Sequence, residues 1–93
     1  MEYKVKYSAD ALKDLDSLDF SVGKRIVKKV SQYAELKNPL IKAKKLTGMD
    51  YDTYRFRVGD YRVVFRLDPE TERMVILVIV KIAHRKEVYR NMQ

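Results

Sequence analysis

One stretch, in which apolar residues alternate with arginines, constrains the fold of this chain more than any other feature of the sequence. Residues 54–66 read YRFRVGDYRVVFR, with apolar and arginine positions on either side of a Gly-Asp pair. A period of two is typical of a half-buried β-strand, and a two-residue join containing glycine is typical of a β-hairpin. The stretch therefore predicts strands over 54–58 and 61–67, joined by Gly59-Asp60. Their apolar side chains would face a core and their arginines would face away from it.

The amino-terminal half combines a strand pattern with two helix patterns. Residues 2–7, EYKVKY, alternate and predict a first strand. Ser8 is a favoured N-cap, and helical spacing of apolar residues follows it. A second amphipathic stretch runs from Val22 and ends before Asn38-Pro39, because a residue that precedes proline is disfavoured in a helix. Two consecutive helices with a short join predict an αα-hairpin.

The other half supplies the rest of the sheet. Residues 40–52 lack periodicity and predict irregular structure, and DPET at 68–71 has the composition of a turn. Residues 74–82 are almost continuously apolar, as in a strand covered on both faces or central in a sheet. Residues 84–92 do not alternate and predict a short helix packed by Val88. We expect these residues to face the core: Leu12, Leu15, Ile26, Val30, Phe56, Val63 and Leu77.

This order of elements predicts one α+β domain over residues 1–93. A small, mainly antiparallel sheet would carry the helical hairpin on one face and a short helix at the carboxyl end. A chain of 93 residues is long enough for a single domain. The opposite face of the sheet is then expected to be open.

The alternation gathers cations on that open face. We expect no acidic residue to share it, and a purely structural surface would interleave both charge signs. Arginine presents a fixed fork of donors that matches phosphate oxygens. The chain has 20 Lys and Arg against 13 Asp and Glu, a net charge of +7, which also favours a polyanionic partner. The cations predicted on the face are Lys4, Lys6, Arg55, Arg57, Arg62, Arg66 and Lys81.

The composition excludes several kinds of site. With no cysteine and one histidine, the chain cannot form a disulfide, a cysteine-based zinc site or a multi-histidine metal site. We expect no metal and no cofactor. The start of the chain has no apolar signal segment, and the longest uncharged apolar run, residues 74–80, is far short of the roughly 20 residues of a membrane-spanning helix. A cytoplasmic location without a membrane partner is therefore expected.

The carboxyl-terminal stretch KIAHRKEVYR, residues 81–90, places candidate reactive groups beside the basic strands. Cleavage of RNA without a metal needs a base for the 2′-hydroxyl, positive charge for the phosphorane and an acid for the leaving 5′-oxygen. Histidine is the side chain most suited to proton transfer near neutral pH, which makes His84 a candidate base or acid. Tyr89 is a candidate proton donor or base-stacking residue. Arginines supply charge but are not bases, because their pKa exceeds about 12.

These motifs together resemble the RelE/ParE superfamily of type II toxins, most closely its RelE-like branch. The resemblance covers essentially the whole chain and rests on YRFRVGDYRVVFR, on KKLTG at 44–48 and on HRKEVYR at 84–90. It implies an mRNA interferase with a RelE-like fold, which enters the ribosomal A site and cuts the displayed codon by metal-independent attack of the 2′-hydroxyl. It also implies a cognate acidic antitoxin, whose complex with the toxin binds promoter DNA.

The resemblance implies a catalytic set at the hairpin and the carboxyl end. Some relatives carry lysines where this chain has Arg55 and Arg57, and a lysine there has been considered as the general base. Some relatives carry an arginine where this chain has Ala83. The expected catalytic residues are Arg55, Arg57, Arg62, His84, Arg85 and Tyr89. The expected nucleic-acid-binding residues are Lys4, Lys6, Lys44, Lys45, Arg66, Lys81, Lys86 and Arg90.

Two other functions are compatible with the sequence. A ParE-like toxin shares the fold and targets DNA gyrase; the hairpin arginines, His84 and Tyr89 favour the RNA-directed branch instead. A non-catalytic basic binding module is the third alternative. Replacing His84 by Ala and Tyr89 by Phe would leave the activity of such a module unchanged.

Overall fold

The first strand and the two helices form where the apolar spacing predicts them. The computed structural model describes residues 1–48 and 52–88 and begins with β1, Glu2–Tyr7, followed by α1, Ala9–Asp16, and α2, Phe20–Ala34. Ser8 caps α1, because its Oγ accepts a hydrogen bond from the Ala11 N–H at 3.1 Å. No helix in the described ranges is long and apolar enough to cross a membrane.

The second half contains one more strand than the sequence predicts. A 3-10 helix, Pro39–Lys42, leads into β2, Ala43–Leu46, in the segment predicted to be irregular. Next come β3, Thr53–Val58, and β4, Tyr61–Thr71. The four residues of β2 are too few to show a period, and they form a strand because β3 supplies the backbone partners.

The predicted turn at 68–71 is wrong. These residues form the end of β4 and pair with the start of β5, Met74–His84. A register shift between Pro69 and Thr71 accommodates the proline, which lacks the N–H that a regular ladder uses. The chain turns at Glu72-Arg73 instead.

The described residues form a five-stranded sheet in the order β1-β5-β4-β3-β2. β1 is parallel to β5, and the other neighbouring strands are antiparallel. The α+β architecture is as predicted, with the apolar strand β5 inside the sheet. Residues 85–88 form a turn in which the Glu87 and Val88 N–H groups donate to the His84 carbonyl at 2.8 and 3.0 Å. The short helix predicted over residues 84–92 is not seen in residues 84–88, which form the end of β5 and this turn; residues 89–93 lie outside the described residues.

The core lies between the helices and one face of the sheet. Ile26 and Val30 from α2 are fully buried, as are Phe56 and Phe65 from the hairpin, whose ring centroids lie 4.4 Å apart. Burial of each such side chain stabilises the fold by about 1.5–3 kcal/mol. Leu12 was expected in this core, but it is 51% exposed because Ala11 is the α1 residue that is fully buried there.

Helix α1 also protects an edge of the sheet. β1 pairs with β5 only as far as Ile79, so among residues 1–48 and 52–88 no strand lies beside the end of β5 on that side. Asp14 of α1 compensates, since its Oδ2 accepts a hydrogen bond from the Ile82 N–H at 2.8 Å. A side chain therefore satisfies a backbone donor where the neighbouring strand ends.

Candidate nucleic-acid interface

Strand register places most of the predicted cations on the sheet face opposite the helices. In each row of paired residues, the side chains lie on the same face of the sheet. Arg55 pairs with Lys44 on one side and with Val64 on the other, and Val64 pairs with Lys81. Arg57 pairs with Arg62 in the neighbouring row. We call this the basic face; it carries Lys4, Lys6, Lys44, Arg55, Arg57, Arg62, Arg66 and Lys81.

A β-bulge is what puts Lys81 on this face. Leu77 and Ile79 belong to the core, and strict alternation would send Lys81 to the same side. The register shifts between Val64 and Phe65, which pair with Lys81 and Ile79, so that Val80 has no partner. The extra residue turns Lys81 outward, where its charge is solvated, and turns Ile82 into the core.

The charges on the basic face are not distributed evenly. The sequence predicted no acid there, but the longer β4 brings Asp68 onto this face, and Glu2 also lies there, 3.8 Å from Lys4. Both acids lie at the end of the sheet away from the Gly59-Asp60 turn. Within the described ranges, no carboxylate is within ion-pair distance of Arg55 or Arg57. Positive charge is therefore concentrated at the hairpin end.

The middle of the basic face is less open than predicted. Val64 is fully buried and Val78 is 7% exposed, although both point away from the helices. Thr53, in the same row as Val78, is 6% exposed. Charged side chains such as those of Arg57 and Arg66 are exposed, whereas Val64 and Val78 are not. The surface that this face offers a partner is therefore dominated by charge.

The hairpin turn fixes one arginine at the end of the face. Gly59 has a φ of 57°, while Asp60 has no positive φ, as in a II′ turn. Arg62 Nη1 donates hydrogen bonds to the Gly59 carbonyl at 3.1 Å and to the Tyr61 carbonyl at 3.0 Å. These contacts orient the Arg62 guanidinium beside the turn.

Arg85 and Lys86 lie in the turn that follows β5. The Arg85 N–H donates to the Asp60 carbonyl at 2.7 Å, and Arg85 Nε lies 3.8 Å from Asp60 Oδ1. Arg85 thus joins the hairpin end, next to the turn that holds Arg62. The side chain of Lys86 is exposed, and its backbone N–H donates to His84 Nδ1 at 3.2 Å.

The structure does not bring His84 together with the arginines of the basic face. His84 pairs with Tyr61, and that row lies on the helix side of the sheet. The two rings meet edge to face with centroids 5.6 Å apart. Because His84 Nδ1 accepts the hydrogen bond from the Lys86 N–H, Nε2 is the ring nitrogen left for another partner. The catalytic role of His84 stays a prediction.

Lys45 also lies apart from the basic face. It pairs with Tyr54 on the helix side and forms an ion pair of 3.3 Å with Asp52. Tyr89 and Arg90, both predicted to act on RNA, lie outside the described residues. Among the residues that the structure describes, no group of three histidine, cysteine or acidic side chains is arranged to hold a metal ion.

Arg25 of α2 also lies at the hairpin end, a location that the sequence did not predict. Its Nη2 lies 3.4 Å from the point that a Cβ on Gly59 would occupy. In the sequence, Arg25 is one of several cations on an amphipathic helix, and no local pattern separates it from its neighbours. Only the packing of α2 against the sheet brings it to this turn.

Comparisons with known proteins agree with this geometry. The family described as the ParE toxin of the type II toxin-antitoxin system, parDE, matches residues 5–89. The chain is 33% identical to toxin RelG of Mycobacterium tuberculosis over 97% of this chain and 99% of that relative. It is 31% identical to a RelE-like toxin protein of Escherichia coli over 96% and 92% of the two chains.

A solved structure shares the fold as well as the sequence. The toxin-antitoxin complex RelBE2 of Mycobacterium tuberculosis contains a chain that superposes with a TM-score of 0.72 at 26% identity. The match covers 90% of this chain and 92% of that one. The five-stranded sheet with two helices and the matches along nearly the whole sequence lead to one conclusion. This chain belongs to the RelE/ParE superfamily of toxins of type II toxin–antitoxin systems.

Proposed function

We propose that this toxin is a ribosome-dependent mRNA endonuclease that cleaves codons in the A site. One observation carries the proposal: Arg55, Arg57, Arg62 and Lys81 share the hairpin end of one sheet face, away from its carboxylates. Arginine forks bind phosphate in a defined geometry. Relatives named RelG and RelE-like support the RNA-directed branch.

The reaction requires no metal in this proposal. The 2′-oxygen of the codon attacks the adjacent phosphorus while a base takes its proton, and the bond from phosphorus to the 5′-oxygen breaks. The leaving 5′-oxygen receives a proton, and the products are a 2′,3′-cyclic phosphate and a 5′-hydroxyl. Charge on the phosphorane oxygens rises during this step, and fixed cations stabilise such a state most.

The hairpin arginines supply that charge. Hydrogen bonds to the turn hold Arg62 in place, so it needs little reorganisation when the phosphorane forms. Arg55 and Arg57 extend the positive surface along β3, and Arg85 adds a cation beside Asp60. Lys81, in the row of Arg55, binds a phosphate near them, and more distant phosphates are bound by Lys4, Lys6, Lys44, Arg66, Lys86 and Arg90. Tyr89 and His84 are the candidates for proton transfer.

Cell-free translation tests this proposal directly. Purified toxin is added to a translating extract, and new mRNA ends are mapped by primer extension. We expect ends inside A-site codons, only when ribosomes are present, with the Arg62→Ala and Arg57→Gln variants much weaker. Lys37→Gln, the same loss of charge at an exposed residue that is not part of the basic face, is the matched control. Intact messenger with normal translation would refute the proposal.

The same assay separates the proton-transfer candidates. If Tyr89→Phe loses cleavage but still binds RNA normally, Tyr89 transfers a proton in the reaction. His84→Ala gives the corresponding answer for the histidine. A pH–rate profile that loses a limb near neutral pH in His84→Ala would assign the base or acid to the imidazole. An unchanged profile would remove His84 from the mechanism.

An acidic antitoxin is the proposed partner. The related RelBE2 toxin was solved in complex with its antitoxin. A chain of opposite charge would associate rapidly with the basic face and block access of RNA to it. Purified complex should therefore show no messenger cleavage, and promoter DNA should be bound by the complex only.

Inhibition of DNA gyrase is the second candidate function. The matching family is described as the ParE toxin, whose branch implies gyrase as the target. A supercoiling assay with purified gyrase decides between the two. Inhibited supercoiling with intact messenger would assign the toxin to that branch, and a protein inactive in both assays would be a non-catalytic basic binding module.

A further inference from the structure

We propose that Arg25 of α2 binds an RNA phosphate. The RNA-binding surface would then extend from the basic face, around the hairpin end, to the helical layer. The bound backbone would cross the Gly59-Asp60 turn instead of ending at the edge of the sheet. This inference rests on the proposed function, because it assigns a further contact to the same RNA-binding surface.

The position of Arg25 is the first observation. A Cβ at Gly59 would lie 3.4 Å from Arg25 Nη2 and 3.9 Å from its Cζ, so the guanidinium lies beside the turn, on the side that a Gly59 side chain would occupy. Arg62 reaches the same turn from the basic face, and its Nη1 is 3.1 Å from the Gly59 oxygen. The turn is therefore flanked by guanidinium groups from both layers of the molecule.

The second observation is that Arg25 has unused donors. Within residues 1–48 and 52–88, Arg25 forms neither a hydrogen bond nor an ion pair. Asp60, the carboxylate of this turn, is ion-paired with Arg85 instead. An arginine that stabilised the turn by hydrogen bonding would donate to one of its carbonyls. The five N–H donors of this exposed guanidinium, which no group in the described residues accepts, are available to an external anion.

Other cations on α2 add to the positive charge of Arg25. Helix α2 has four cations and no acid, and its Lys24, Arg25, Lys28 and Lys29 are all exposed. Lys29 lies one helical turn beyond Arg25, on the same side of α2. Positive charge therefore continues from the hairpin end along the helix. A ligand that follows this path must carry repeated negative charges, which is the chemistry of a phosphodiester chain.

Two RNAs could supply these phosphates: the messenger strand and ribosomal RNA. Two probes distinguish them. One is a single-stranded 2′-O-methyl RNA oligonucleotide, which lacks the attacking hydroxyl and so cannot be cleaved. The other is purified ribosomes without messenger. Affinity of the full-length toxin for each probe is measured over a range of salt concentrations.

The variant is Arg25→Gln, with Lys24→Gln as its matched control. Both residues are exposed and adjacent on α2, but they point in directions about 100° apart on the helix. We expect Arg25→Gln to reduce the slope of log affinity against log salt by about 0.7 for the single strand if the messenger supplies the phosphate, and to reduce the slope for ribosomes if ribosomal RNA does. Arg25→Lys should retain the slope, and the probe that responds identifies the RNA.

The experiment separates this inference from the proposed function. If Arg25→Gln matches Lys24→Gln on both probes while Arg57→Gln weakens binding, the Arg25 contact is wrong and the RNA-binding face remains. If Arg57→Gln also leaves binding and cleavage unchanged, the proposed function itself fails. Thermal melting of each variant shows whether the fold is intact, and a change in melting temperature without a change in salt slope would assign Arg25 a purely structural role.

Discussion

Arg57 lies directly opposite Arg62 across the β3–β4 hairpin, with both side chains on the basic face. Like charges in directly opposed positions destabilise an antiparallel pair. A phosphate placed between them would reverse the sign of this contribution, because each guanidinium would then face an anion. We therefore expect the pair to be more favourable in a complex with RNA than in the free toxin.

Replacing Arg57 by Gln should stabilise the free protein and weaken its action on RNA. Removing one of two opposed cations should raise the free energy of unfolding by about 0.2–1 kcal/mol, while messenger cleavage falls. Urea denaturation and primer extension measure the two effects. Lys37→Gln controls for the change in net charge. A variant that is less stable than the parent would show that Arg57 has a structural role.

Replacing Asp14 by Ala should destabilise the sheet edge. The Ile82 N–H would lose the acceptor that now lies 2.8 Å away, and a hydrogen bond to a charged group contributes about 1.5–3 kcal/mol. Asp14→Asn keeps an acceptor oxygen and should lose less. Asp16→Ala, an exposed site on the same helix, is the control in urea denaturation. Equal losses for Asp14→Ala and Asp16→Ala would contradict this account of the edge.

Alkaline pH should destabilise the protein partly through Tyr7. Burial raises the pKa of Tyr7 from 10.0 to about 12, since it disfavours the phenolate. The folded state therefore holds this proton more tightly than the unfolded state does. The resulting stability is complete below about pH 10 and is lost as the pH rises to about 12.

The Tyr7→Phe variant has no such proton. Its stability should fall less steeply than that of the parent between about pH 10 and pH 12, as measured by urea denaturation at fixed pH. Tyr3→Phe, in the same strand, should retain the parent's dependence. Parallel curves for the parent and Tyr7→Phe would remove Tyr7 as the cause.

Substitution of Gly59 should affect RNA binding as well as stability. Gly59 has a φ of 57° and Gly48 a φ of 76°, so alanine at either position costs roughly 1–2 kcal/mol of backbone strain. A Cβ at Gly48 meets nothing within 4 Å, whereas one at Gly59 would be in van der Waals contact with Arg25 Nη2 at 3.4 Å. We expect similar losses of stability from both alanines, but a loss of RNA affinity only from Gly59→Ala. Equal RNA affinities would show that the turn does not position the arginines.

The sequence predicted much of the fold because its strongest signals are local. Alternation around Gly59-Asp60 predicted the hairpin and the sheet face on which Arg55 and Arg57 lie. Ser8 predicted the start of α1. The prediction failed where long-range pairing decides. β2 exists because β3 pairs with it, and residues 68–71 extend β4 because β5 lies beside them, although their composition is that of a turn.

The candidate site divides in the same way. The sequence by itself determined that arginines alternate with apolar residues, and the physics of a pleated strand then placed them on one face. Tertiary structure decided how the remaining groups meet that face. A bulge at Val80 turned Lys81 outward, register turned His84 to the helix side, and packing of α2 brought Arg25 to the turn. These outcomes depend on contacts between residues far apart in the chain. Such contacts stabilise the folded state only once the whole sheet has formed, so no local pattern in the sequence reveals them.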